Sequence, residues 1–260
     1  MPRARITPRK IARYGWTPDV PDGRDLLFAA SARVLEKLPA RVDLRRECPP
    51  VYDQGDLGSC TGNAIAAALE FGQIKQGIKR HWTPSRLFIY YNERVIENTV
   101  DSDSGAQIRD GMKSVAKQGA PPERLWPYNI DKFRDEPPRK CFTEATKHVA
   151  IRYQRLAQTL NQLKGCLAEG YPFVFGFMVY DSFESEEVAK TGEAPMPRAR
   201  ERQIGGHAVL AVGYQESQQR FIIRNSWGTG WGKRGYFTLP YPYLLQSTLA
   251  SDFWTVRAVS

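Results

Sequence analysis

The chain has 260 residues, 42% hydrophobic and 25% charged, which is enough apolar content for one buried core or two small ones and excludes a disordered chain or a coiled coil. Mean hydropathy is −0.49, and no apolar run approaches the roughly 18 residues of a spanning helix, so the composition reads as that of a soluble protein. The net charge of +9 favours acidic partners by long-range attraction, but its local sources, Arg3, Arg5, Arg9, Lys10 and Arg13 and then Arg198, Arg200 and Arg202, read as solvated segments rather than nucleic-acid contacts.

Residues 1–38 read as an N-terminal extension. It starts as MPRARITPRKIARYGW, basic but without the apolar region of a secretory leader, so secretion would require a leader removed beforehand. Pro18, Pro21 and Gly23 punctuate it, and it ends in LLFAASARVLEKL. It is too short to bury a core of its own and must lie on the main body or stay disordered.

From Cys60 the run CTGNAIAAALEFGQIKQG suits a buried helix that starts at Ser59 or Cys60, which sets a thiol at a helix N-terminus. Leu87, Tyr91 and Val95 mark a helix over 84–97, and Ile108, Met112 and Val115 one over 106–117. Beyond the linkers at Pro121–Pro122 and Pro137–Pro138, the stripe Leu156, Leu160, Leu163 and Leu167 predicts a further amphipathic helix. The runs 172–180, 207–214, 220–224 and 235–239 are short, β-branched or aromatic and bounded by Gly and Pro, hence strands. Between the first two, 181–204 is polar and charged and reads as a long loop or mobile flap.

Helices followed by strands predict an α+β protein: a helical lobe over 39–145, an antiparallel, barrel-like β lobe over 146–260, and a cleft between them.

Four cysteines, Cys48, Cys60, Cys141 and Cys166, match neither zinc spacing nor a redox pair, which points away from metal binding. If one is a catalytic thiol, the other three form at most one disulfide. Three segments pair small residues with reactive ones: QGDLGSCTGNA (54–64), GGHAVLAVGY (205–214) and NSWGTGWGKRGYF (225–237). Singly, each reads as packing. Jointly, His207 stands 147 residues after Cys60 and Asn225 another 18 on, the order and distance of a long-range Cys/His/Asn site.

These segments resemble the papain family of cysteine peptidases over about residues 39–260, including LPARVDLR as the start of the mature region. The resemblance implies a papain-like two-lobe fold and hydrolysis of peptide or protein substrates without a cofactor. It makes Cys60 the nucleophile, His207 its base and later acid, Asn225 the group that orients the imidazole and Gln54 the side-chain donor to the oxyanion. Trp227 corresponds to the indole shielding the Asn–His bond. Gly105 and Ala106 stand in a segment, DSDSGAQ, similar to the one that pairs with substrate backbone, and Gly206 leaves room for a ligand beside His207. The chemistry fits independently: a thiol near pKa 8.5 needs a helix N-terminus and an imidazolium to become a thiolate at neutrality.

The chain departs from the family pattern at Leu57, where a disulfide cysteine is usual, at Thr61, where an aromatic is usual and more space behind the thiol is expected, and at Ala106, where a second glycine is common. A long inhibitory propeptide has no counterpart; GWTPDVPDGRDLLF is similar to bacterial-type members with a short extension, and residues 1–38 are expected to lie across the cleft and restrain activity. Val209 stands where triad amidotransferases carry a carboxylate, and the Cys-before-His order disfavours a caspase. A catalytically silent papain-like binding module using its basic surface is the alternative of a different class.

Overall fold

Residues 14–260 are described in a computed structural model. Arg3, Arg5, Arg9, Lys10 and Arg13 lie outside the described residues. In chain order the elements are β1 (Leu27–Phe28), α1 (Ala32–Glu36), β2 (Arg41–Asp43), α2 (Cys60–Lys75), α3 (Arg86–Glu97), α4 (Ile108–Lys117), α5 (Arg139–Ala145), β3 (Ala150–Leu156), α6 (Leu160–Ala168), β4 (Phe173–Tyr180), α7 (Glu186–Thr191), β5 (Gln203–Gln215), β6 (Arg220–Arg224), β7 (Tyr236–Pro240), α8 (Tyr241–Leu245) and β8 (Ala250–Val259).

Helix α2 is buried from Cys60 to Gln73, on every side, because small residues let its neighbours close in. A β-carbon at Gly62 would stand 2.9 Å from the Arg86 carbonyl oxygen. The start of α3 is fixed by Ser85, whose hydroxyl accepts the Phe88 amide, and its end by Asn98 in the left-handed conformation. The expected face of α4, Ile108, Met112 and Val115, is fully buried.

The strands form one sheet, β1-β3-β8-β4-β5-β6-β7, with β2 also pairing β5. Every pairing is antiparallel except β1 with β3. The sheet is open, with β1 and β7 at its ends, so the barrel-like closure expected from the sequence is not formed. Phe173, Phe175 and Phe177 alternate along β4; Phe175 stacks on Phe253 and Phe173 meets Phe253 and Phe221 edge-on, giving the aromatic centre of the core.

Strands β1, β2 and the central β8 lie outside the runs expected as strands, and two further segments differ in kind. Leu156 ends strand β3 and does not belong to a helix; Thr159, whose hydroxyl accepts the Gln162 amide, starts α6 only afterwards, leaving Leu163 and Leu167 as its buried face. The 181–204 stretch is not a featureless loop: a short 3-10 turn at Asp181–Glu184 precedes α7, and Phe183, Val188 and Ala189 are buried under it.

The described part of the extension lies on the body. Ala30 packs on Gly165 of α6, where a β-carbon would meet it at 2.5 Å. Asp25 pairs with Arg109 of α4 and, at 3.1 Å, with Arg155 of β3. Asp19 accepts the Arg109 amide at 3.0 Å and the Trp254 indole N–H at 2.9 Å, while its own amide donates to Asp252 at 2.7 Å.

Candidate active site

Cys60 is the first residue of α2, and His207 lies within β5, not at its start. Helix and strand meet at the sulfur: the backbone amide of Ala208, next to His207, donates to Cys60 Sγ at 3.3 Å. Behind the imidazole, His207 Nε2 is 2.8 Å from Asn225 Oδ1, which also accepts the Ser226 amide at 2.8 Å. An oxygen that accepts from a backbone N–H must accept from the imidazole as well, so the proton of the neutral ring is on Nε2. Nδ1 is left without a hydrogen-bond partner. Its lone pair is therefore free to take a proton.

Trp227 stacks on the imidazole with ring centres 4.8 Å apart and planes 29° from parallel. Gln54 is clamped beside them: its amide donates to the Ser226 carbonyl at 2.8 Å, its Oε1 accepts from Ser226 Oγ at 2.7 Å, and its Nε2 donates to the Leu57 carbonyl at 2.9 Å. One Nε2 hydrogen remains for another acceptor. The loop before the thiol is tied to the 101–107 segment through Asp103, which accepts the Gly58 amide at 3.0 Å and the Tyr90 hydroxyl at 2.5 Å.

Residues 14–17 lie over these groups. Trp16 donates its amide to the Gly206 carbonyl at 3.0 Å; the Ala106 amide donates to the Gly15 carbonyl at 2.8 Å, and the Thr17 amide to the Ala106 carbonyl at 3.1 Å. This bridge is parallel. The Gly15 amide points at the Cys60 sulfur, so what faces the thiol is an N–H, not a carbonyl carbon. Tyr14 packs edge-on to His207 at 6.0 Å and bonds Glu184 through its hydroxyl. The Trp16 indole lies against Gly176, where a β-carbon would stand 1.9 Å from it, and donates to Asp252 at 3.2 Å.

Under this cover Cys60 and His207 are both fully buried. Burial, which penalises the charged form, pushes the thiol up to about 12, against the stabilising amides of Ala208, Gly15 and Thr61. Burial likewise pulls the imidazole down to about 4, although its bond to Asn225 works the other way. The covered pair is thus a thiol beside a neutral imidazole.

A sequence model described as "Papain family cysteine protease" matches residues 38–247. The chain belongs to the papain family of cysteine proteases. It is similar to xylellain, a cysteine protease from Xylella fastidiosa, with 43% identity, a TM-score of 0.90 and coverage of 97% of this chain and 98% of that one. An uncharacterized peptidase C1-like protein of Acanthamoeba polyphaga mimivirus is 43% identical over 95% of this chain and 87% of its own length. Chicken cathepsin K is 32% identical over 78% of this chain and 59% of its own.

In this papain-family peptidase Ala106 makes the main-chain pairing with Gly15 and Thr17, and the Gly105 amide donates to the Tyr90 hydroxyl at 3.1 Å. The space expected beside Thr61 is filled: its hydroxyl donates to Glu93 Oε2 at 2.7 Å, and this fully buried carboxyl is raised well above the ordinary range by burial. Leu57 is buried, and all four cysteines are free. Sequence reasoning missed Ser226, although it sits inside the NSWG run, and Asp252, which no motif marks.

Proposed function

We propose that the protein hydrolyses peptide bonds with Cys60 as nucleophile and His207 as base and then acid, and that residues 14–17 hold this pair inactive until they leave the cleft. The walls of that cleft are the helical part, 39–145, and the β-rich part, 146–260. The carrying observation is the His207 Nε2–H bond to Asn225, which leaves Nδ1 bare next to the strand amide that holds the sulfur.

Once the cover departs, the thiol proton moves to Nδ1, and the thiolate at the α2 N-terminus faces an imidazolium. The sulfur attacks the substrate carbonyl carbon, and the carbonyl oxygen gains charge toward the Cys60 amide and the free hydrogen of Gln54 Nε2. His207 returns its proton to the leaving amine as the C–N bond breaks. Water then adds to the thioester, the C–S bond breaks, and the acid product and thiol are released. Asn225 is neutral, so it orients the ring without drawing off its positive charge.

The covering segment is not a substrate caught in place, because it offers the sulfur an N–H. The Gln54–Ser226 and His207–Asn225 bonds would serve no purpose in a silent binding module. A chain starting near Leu38 is expected to label at Cys60 with an epoxide peptide mimic and to cleave peptides faster than the full chain. Cys60→Ser should abolish both. Equal turnover of the two lengths would remove the inhibitory role, and absence of labelling in the shorter chain would remove the peptidase mechanism.

A further inference from the structure

The outer face of β6 and β7 carries a basic concavity that peptide hydrolysis does not use. Ile222 pairs with Thr238 and Arg224 with Tyr236 on this face, while Phe221, Ile223, Phe237 and Leu239 turn into the core. Phe237 packs inward on Phe177, Phe183 and Trp231, the rings behind His207, so the outer face looks away from the nucleophile.

Two cavities of about 160 and 760 Å³ open here and share Arg41, Arg45, Lys233 and Tyr236 in their walls. Six cations line them: Arg41, Arg45, Arg46, Arg220, Lys233 and Arg234. Only two carboxylates, Asp43 and Glu193, oppose these. Asp43 is already engaged, by both nitrogens of the Arg45 fork at 2.8 and 2.6 Å and by Arg41 at 2.9 Å. Arg220 is held by Thr238 and the Ala194 carbonyl. Among the described residues, no side chain pairs with Arg46, Lys233 or Arg234, and all three are exposed.

Arg234 stands in the left-handed region, with φ +57°, so a glycine can replace it without added strain.

Guanidinium forks match the oxygens of phosphate and sulfate in pairs, and a concave wall with surplus positive charge concentrates such anions. We propose that this concavity binds a small anion carrying several phosphate or sulfate groups, at a site separate from the cleft.

Calorimetric titration of the full chain with inorganic tripolyphosphate tests this. Saturable one-to-one binding that weakens as salt is added is expected. The variant Lys233→Ala/Arg234→Gly should bind about tenfold or more weakly, with peptide hydrolysis unchanged. Lys79→Ala/Arg80→Ala, which removes the same charge from another exposed site, should bind as the parent does. Arg234→Gly alone should melt no lower than the parent, which separates lost binding from lost folding. A sulfated disaccharide titrated alongside assigns the source, as the tighter of the two ligands. Absence of saturable binding at low ionic strength, or equal loss in both double variants, would overturn the proposal.

Discussion

Gly15 lies so close over Gly58 that a β-carbon on it would stand 1.6 Å from the Gly58 carbonyl oxygen. Valine there cannot seat, so Gly15→Val in the full chain should free the cleft without shortening the protein. Peptide turnover is expected to rise about tenfold or more, since even 1.4 kcal/mol of lost seating shifts an equilibrium that far. Alkylation of Cys60 by a haloacetamide should become rapid at neutral pH in this variant, whereas the covered thiol, held at about 12, stays slow. Matching rate-against-pH profiles for variant and parent would count against the cover.

Gln54 has one unclaimed N–H beside the thiol loop. Replacing it with alanine should lower kcat by about 10²–10³, the usual loss for one oxyanion donor. Alkylation of Cys60 in the opened chain should stay unchanged, because that reaction forms no oxyanion. A parallel fall in both would mean that the loop, not the donor, had been damaged.

The proton balance between covered and open states sets how the cover responds to pH. By the proposed mechanism the open pair is a thiolate beside an imidazolium and the covered pair a thiol beside a neutral imidazole, so each holds one proton at neutrality and Cys60 and His207 add little pH dependence there. Burial and the neighbouring Asp252 charge raise Asp19 to about 6, so its contribution is complete below the ordinary carboxylate range and lost as pH rises through 6; Asp252, raised by burial as well, acts in the same direction. Burial alone would raise Asp25, but hydrogen bonds from Arg109 and Arg155 outweigh it and hold it low, so its contribution is lost as pH falls through that low value. Hydrogen-exchange protection of the 15–17 amides should rise as pH falls from 7 to about 5 and decline in the more acid range. Asp25→Asn should flatten the acid limb; protection that stays level between pH 7 and 5 would contradict this balance.

When Trp16 leaves, its pocket keeps the Asp252 carboxylate, paired at 3.2 Å with Arg155. Substrates placing an N–H-bearing side chain there, tryptophan or arginine, should be preferred over leucine. Asp252→Asn should reduce that preference about tenfold. A peptide library profile with the same ranking in parent and variant would refute it.

Cys60, His207, Asn225 and Gln54 were legible because each sits in a short run whose neighbours, Gly, Ser and Trp, are dictated by close packing around it. Helices α2 and α4 were legible from their apolar spacing; α3 forms where its spacing predicts, but of the stripe Leu87, Tyr91 and Val95 only Leu87 is buried, and Phe88, Ile89 and Tyr90 carry its packing instead. Strand β3 was not, since Arg152, Gln154 and Arg155 interrupt its alternation; Arg155 instead meets Asp25 of the extension and Asp252, contacts that no local pattern encodes. The same holds for the basic concavity, assembled from positions 41–46, 220 and 233–234, which only the pairing of β2, β5, β6 and β7 brings together.

Four free cysteines, with Cys60 the proposed nucleophile, would ordinarily leave such an enzyme open to peroxide. Attack by peroxide requires the thiolate, and a sulfur ringed by amides and sealed from water is almost wholly protonated. On the proposed inhibitory role, residues 14–17 would preserve the enzyme as well as silence it: its working life in an oxidising medium would begin only when that segment lifts.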